Sequence, residues 1–329
     1  MSTPDTPETL QLAVQAAARG DVGELSRLAA LEPQLLHIRT ADGDTLLGLA
    51  CRAVTDGVAL PPVPCTEEQL AAIDWLLAAG VDVSAATLEG WAPLHAAAMT
   101  GNLELAHRLL AAGAAREGRL LGTSGGSPLS LALFYGKSEV AEVLAEPAIP
   151  DNLRTAAALG RSLDRFFDGD ERLPSARVGI DFYRPLPAFP EWQRTGDRQE
   201  LLDEALTWSA RNGRLGSMSV LIHRGALVNA NPYRGTALLW AVFADNVEAA
   251  AWLLHHGADM NLRHDFGGAT HGKGAVALHL AAQYSRLKCL KLLLDRGADR
   301  TIKDELYQAT PLGWAEHEGA QDSVALLTA

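Results

Sequence analysis

Residues 267–274, GGATHGKG, carry the G-x-x-x-x-G-K spacing of a phosphate loop, in which glycine backbone N–H groups cradle an anion and a lysine adds charge. Gly274 stands where serine or threonine would hold magnesium. A true phosphate loop also sits between a strand and a helix. Helix-period segments flank this one, so it reads as an enlarged loop with Lys273 available to an anion. Five histidines, His255, His256, His264, His271 and His279, fall within 25 residues. Imidazole is the commonest metal ligand, but the cluster lacks the H-E-x-x-H or regular Cys/His spacing of a zinc site. His255 and His256 are adjacent on a helix and point in different directions. Asp168, Asp170 and Glu171 resemble half of a calcium loop, yet Leu173, Pro174 and Ala176 follow where oxygen ligands are needed. No serine sits in a G-x-S-x-G elbow, and Cys51, Cys65 and Cys289 have neither paired spacing nor a His-Asn context. These residues imply no cofactor, no metal and no catalytic group.

The elements that would position any site are set by a period. Five segments end alike: WLLAAGVDVSA (75–85), RLLAAGAAREG (108–118), VLIHRGALVNA (220–230), WLLHHGADMNL (252–262) and LLLDRGADRTI (292–302). Each has apolar residues at helical spacing and then a glycine, which suits the left-handed turn that closes a helix. A second signature precedes them: GWAPLHAAAMTGNLELAHRLL (90–110), RGTALLWAVFADNVEAAAWLL (234–254) and GAVALHLAAQYSRLKCLKLLL (274–294). Weaker copies are GSPLSLALFYGKSEVAEVL (126–144) and ATPLGWAEHEGAQDSVALL (309–327). The steps Leu94 to Leu129, Leu238 to Leu278 and Leu278 to Leu312 are 35, 40 and 34 residues.

These units resemble ankyrin repeats, whose pattern runs roughly G-x-TPLHLAA-x-x-G-H-x-x-x-V-x-x-LL-x-x-GAD-x-N. The resemblance covers nearly the whole chain and rests on recurrence at the right period. It implies an all-α solenoid of stacked helix-turn-helix repeats with finger turns and one irregular central insertion. A single unit cannot bury its apolar face and must stack on its neighbours. The map gives N-terminal repeats over 9–167, a Pro/aromatic insertion over 168–199, and C-terminal repeats with a cap over 200–329. A Pro-rich insertion also falls near 55–66. Residues 151–167 hold a half-repeat, with a first helix but no Gly-Ala-Asp ending. The central insertion has Pro174, Pro185, Pro187 and Pro190, which break helices. Its Phe182, Tyr183, Phe189 and Trp192 make it too aromatic for a flexible linker, so it is expected to pack on the array.

In the family pattern the Thr and His of TPLH hydrogen-bond and cap the first helix. Here they never occur together: His95 follows Ala92, His279 follows Val276, and Thr45, Thr236 and Thr310 have no His three residues on. The cap therefore reads as incomplete in each unit, with His95 and His279 structural and able to bond backbone in the next repeat.

Hydrophobic residues make up 48% of the 329 and aromatics only 6%, so the apolar mass is mostly the small and branched residues that suit closely stacked helices. A net charge of −12 opposes contact with phosphate backbones, which argues against nucleic acid. No long uninterrupted apolar run predicts a membrane span, and the start, MSTPDTPETL, has no leader pattern. Three unpaired cysteines fit a reducing, cytoplasmic setting, and the Ala-, Leu- and Gly-rich usage fits a bacterial protein.

The resemblance implies that binding uses the concave side, made of finger turns and inner helices. Finger candidates are Glu89, Trp91, Tyr233, Arg234, Asp265, Phe266, His271, Lys273, Glu305 and Tyr307. Inner-helix candidates are Met99, Tyr135, Trp208, Phe243 and Tyr284, and Tyr183, Arg184 and Trp192 come from the insertion. Aromatic residues and arginine are the types enriched at interface hot spots. The expected function is a monomeric, non-enzymatic scaffold or adaptor that binds another protein. The alternative is a small-molecule or anion-binding protein with a pocket between the insertion and the concave face.

Overall fold

Apolar residues at helical spacing, capped in front and closed by a left-handed turn behind, form seventeen α-helices among the described residues of the computed structural model. Those residues are 7–53, 64–118, 120, 126–146, 152–167, 197–266 and 272–329. The expected insertion over 168–199 therefore lies outside them almost entirely, and the one near 55–66 largely so.

The described helices group into two units. The first holds α1 (Pro7–Arg19), α2 (Val22–Leu31), α3 (Leu46–Arg52), α4 (Glu67–Ala78), α5 (Pro93–Thr100) and α6 (Leu103–Ala111). It also takes most of α7 (Pro128–Phe134) and α8 (Ser138–Ala145), whose connecting turn, 133–138, groups with the second unit. The second unit continues with α9 (Leu153–Ala158), α10 (Arg198–Arg211), α11 (Leu215–His223), α12 (Ala237–Phe243) and α13 (Val247–His255). A two-stranded antiparallel hairpin, β1 (His264–Asp265) with β2 (Lys273–Ala275), leads to α14 (Ala277–Gln283) and α15 (Leu287–Asp295). The last pair is α16 (Pro311–His317) and α17 (Gln321–Thr328).

First helices pack on first helices: α1 on α3 on α5 in one unit, and α9, α10, α12, α14 and α16 in succession in the other. The half-repeat at 151 is α9, which packs on α10; a 3-10 turn at Asp164–Phe166 follows it where a second helix would stand. A first helix covered on both flanks must be apolar all round. Ala237–Phe243, ALLWAVF, is accordingly buried at every position. Second helices are covered on one side only and bury positions i, i+1 and i+4: Leu105, Ala106 and Leu109, then Val140, Ala141 and Leu144, then Ala249, Ala250 and Leu253, then Cys289, Leu290 and Leu293.

The incomplete caps are complete after all, by substitution of one partner for the other. Where threonine stands first, at Thr45, Thr236 and Thr310, its hydroxyl accepts the N–H three residues on. Where it is absent, histidine reaches back. His95 Nδ1 accepts the Ala92 N–H at 3.1 Å, and His279 Nδ1 accepts that of Val276 at 3.1 Å. The opposite ring nitrogens then carry the proton and donate to Gly126 O and Ala309 O, which tie each helix to the following finger. Burial pushes both imidazoles below their usual range, which keeps Nδ1 free to accept at neutral pH.

Side chains also close helix ends across repeats in the second unit. Arg214 Nε donates to Ala158 O, Asn246 Nδ2 to Arg211 O and Arg286 Nε to Phe243 O, at 3.1, 2.8 and 2.8 Å. Each donor begins a second helix, and each acceptor ends or closes the first helix of the preceding repeat.

The repeated glycines behave as the sequence requires. Gly257 has φ 86°, and a Cβ there would meet nothing within 4 Å. The constraint is purely one of backbone, so Gly257→Val should cost about 1–2 kcal/mol, read as a lower urea midpoint at unchanged slope. An unchanged midpoint would mean the turn re-forms without left-handed geometry.

Candidate functional site

Much of what the sequence offers as a binding face is core. Trp208, Tyr233, Phe243 and Phe266 are each no more than 5% exposed, and Arg234 is 8% exposed. They join Trp240 and Phe134 in a run of rings in the second unit. Trp240 lies 5.2 Å from Phe134, 5.6 Å from Phe243 and 5.5 Å from Phe266, centroid to centroid, and Phe243 lies 5.6 Å from Tyr284. These are the edge and tilted arrangements that ring quadrupoles favour. Guanidinium groups fill the gaps. Arg211 sits 3.8 Å over Trp240 and 4.5 Å over Phe134, Arg234 lies 5.1 Å from Phe266, and Arg286 lies 5.7 Å from Phe243. Arg211 also donates to Phe134 O at 2.9 Å. Burial holds its proton affinity well below the ordinary arginine value, and nearby Glu204 opposes that. A partner could reach Trp208, Tyr233, Phe243, Phe266 or Arg234 only by unpacking the stack.

The described residues form surface grooves that include two lying between a finger turn and a first helix. In the first unit the finger is built by Thr87, whose N–H donates to Trp91 O and whose hydroxyl accepts the Trp91 N–H. The preceding finger joins it through Leu88 N–H to Asp42 O, and Arg39 donates to both Gly43 O and Ala86 O. Beside them lies a groove of about 480 Å³ lined by Asp42, Arg52, Leu88, Glu89, Trp91 and Met99. Half-buried Trp91 meets the His95 ring edge-on at 5.9 Å. The second groove, about 420 Å³, is lined by Gln283, Tyr307, Trp314, His317 and Glu318. Asp304 shapes its finger: its carboxylate accepts the N–H groups of Leu306, Tyr307 and Ala309 and the Trp314 indole N–H. Tyr307 is 59% exposed. Tyr284, next to Gln283, is half-buried, and burial, then Glu318, raises its phenol above the usual range.

Of the other expected residues, Tyr135 is half-buried against Phe134, and Glu305 and Asp265 are exposed. Tyr183, Arg184, Trp192 and His271 lie outside the described residues, as do Asp168, Asp170 and Glu171. Leu88 and Trp240 went unremarked in the sequence. Trp240 could have been found from the unbroken apolar run around it; nothing in the sequence distinguishes an exposed Leu88.

Lys273 stands on a β-strand rather than at a helix start, and its Nζ is 3.8 Å from Glu305 Oε2. The described part of the glycine loop is thus a hairpin finger. His264, opposite Ala275 in that hairpin, is 3% exposed and its Nδ1 has no hydrogen-bond partner. Burial brings its pKa down to about 4, against a small opposing pull from Asp259. Between pH 6.5 and 4 the unfolded imidazole takes a proton that the folded one refuses. Stability should therefore fall by about 3 kcal/mol as pH drops through that window. Denaturation at pH 7 and pH 5 checks this, since His264→Gln should flatten the dependence; an equal slope in the variant would place the titration elsewhere.

Among the described residues no group of three or more His, Cys, Asp or Glu could hold a metal ion. His255 is exposed at the end of α13, and the exposed residue that caps it, His256, stacks on Trp252 at 3.6 Å. Burial pushes the Cys51 and Cys289 thiols far above their usual range and raises half-buried Cys65, so none is an activated nucleophile. No described helix is long and apolar enough to cross a membrane.

Comparison with known proteins gives a likeness to ankyrin repeats over much of the chain. A family model for ankyrin repeats in three copies matches residues 65–155 and 192–264, and a single ankyrin repeat model matches 273–305, together more than half of the chain. Inversin from Canis lupus familiaris is 36% identical over 121 residues, which cover 36% of this chain and 10% of inversin. The ankyrin repeat domain-containing protein SAT10 of Stachybotrys chartarum is 29% identical over 234 residues, 66% of this chain and 12% of that protein. The chain thus spans about a tenth of the length of these relatives.

Proposed function

The chain belongs to the ankyrin repeat family, and from that premise we propose that it is a non-enzymatic, monomeric protein-binding scaffold of the cytoplasm whose binding face is the finger turns and adjoining first helices. The observation that carries this reading is the exposure of large apolar side chains on those turns. Leu88 is 68% exposed, Tyr307 59% and Leu306 39%, and Leu88 and Tyr307 line the two grooves. Apolar residues held out beside a groove suit a protein surface that covers them. Small-molecule sites more often enclose their ligand among convergent polar groups.

Affinity capture tests the proposal, with the wild-type chain compared with a Leu88→Ser/Tyr307→Ser variant. Tyr233 and Phe266 are unsuited to this test because their loss would disturb the core. A protein retained by the wild type and lost by an equally stable variant supports the assignment. Equal retention by both would move binding off these fingers. Light scattering at high concentration checks the monomer, and a concentration-dependent mass would remove it.

A further inference from the structure

The acidity of the chain is not evenly spread. Residues 1–150 carry 18 Asp and Glu against 8 Lys and Arg, so they hold −10 of the net −12. The N-terminal groove shows this imbalance locally. Exposed Asp42 and Glu89 stand at its rim. The Thr40 hydroxyl donates to Asp42, which holds that carboxyl below the usual carboxylate range and ionised at neutral pH. The one cation among the described lining residues, Arg52, is ion-paired with buried Asp44. Arg52 also pulls on Asp42 at the rim, but Asp42, Asp44 and Glu89 outnumber it three to one. Between them lie the exposed Leu88 side chain and half-buried Trp91 and Met99.

We infer that this groove takes a basic segment of a partner protein, with an apolar side chain seated on Leu88, Trp91 and Met99 and flanking Lys or Arg residues paired with Asp42 and Glu89. The inference rests on the chain being a protein-binding scaffold and adds the chemistry of what it binds. Three properties fit one occupant. Apolar contact on Leu88 and Met99 supplies burial. The Trp91 ring offers a face to a guanidinium. The field of the acidic unit draws in a cation and repels an acidic competitor. Exposed ion pairs of this kind are screened by salt, so binding should weaken as ionic strength rises.

The test is a selection of random 12-residue displayed peptides on the full chain. Selected peptides are then titrated by fluorescence anisotropy at low and high salt. Enriched peptides should carry an excess of Lys and Arg beside a Leu, Phe or Trp. Asp42→Asn/Glu89→Gln leaves the finger bonds in place and should weaken binding roughly threefold to thirtyfold. Leu88→Ser, at a solvent-exposed position, should weaken it by at least about tenfold, and Tyr307→Ser should leave it unchanged. Melting curves of the variants verify that each remains folded. Enrichment of acidic or uncharged peptides, or affinities indifferent to these groove variants, would overturn the inference. If binding is instead lost with Tyr307→Ser, the scaffold reading survives and this assignment fails. If no peptide is enriched, the assignment also fails, and capture of a protein sensitive to Tyr307 separates that result from failure of the wider reading.

Discussion

Trp240→Ala should lower the unfolding free energy of the second unit by about 3–5 kcal/mol. Trp240 is 1% exposed, its ring touches Phe134, Phe243 and Phe266, Arg211 lies 3.8 Å over its face, and its indole N–H donates to Tyr233 O. Truncation removes the transfer free energy of an indole and leaves a void between α10, α12 and α14 that short helices cannot close. It also strips Arg211 of the π-face that helps to offset its desolvation. Because each repeat touches mainly its neighbours, the damage should be local. Urea denaturation gives the size, and hydrogen exchange read by mass spectrometry should show faster exchange in α10, α12 and α14 before α16. Trp252, half-buried on the outer face of α13 against His256, is the control and should cost less. A loss below about 1 kcal/mol for Trp240, or exchange raised equally throughout, would mean that the ring run is not a cooperative core.

The second large effect is electrostatic. Arg154 on α9 and Glu204 on α10 meet at 3.1 Å, with side chains 1% and 2% exposed. Removing either partner takes this contact from a buried charge, at a cost of up to about 3–5 kcal/mol. Glu204 also lies close enough to Arg211 to favour its charged form. Glu204→Leu should therefore cost more than Arg154→Met. The double variant should regain most of the loss, because a buried ion pair replaced by apolar residues of similar volume is often neutral. The double-mutant cycle decides it: additive losses would mean the two groups are not energetically coupled.

The repeat architecture was legible because its determinants are local. Glycine at the helix ends, threonine or histidine at the helix starts, and apolar stripes of fixed spacing can all be read without knowing which helix lies beside which. The burial of some aromatic candidates was illegible for the opposite reason. Trp208 and Phe243 sit on first helices, and whether such a position faces solvent depends on side chains more than 20 residues away, such as Phe134 and Phe266. Finger residues divide the same way. Trp91 and Tyr307 line grooves, whereas Tyr233 and Phe266 turn inward where neighbouring repeats supply rings to meet them. His264 gave no signal, since a histidine in a glycine-rich loop looks the same in sequence whether wet or buried.

The cross-repeat bonds from Arg214, Asn246 and Arg286 bear on how such a chain can lengthen or shorten over generations. Each binding partner lies one repeat earlier, so the heritable module is not the stretch from one finger to the next. A duplication that inserts a repeat after α12 must bring its own long polar side chain to the Phe243 carbonyl, and a deletion must leave one behind. Gene rearrangements should therefore cost less stability in phase with these donors than out of phase, even where every helix is copied whole.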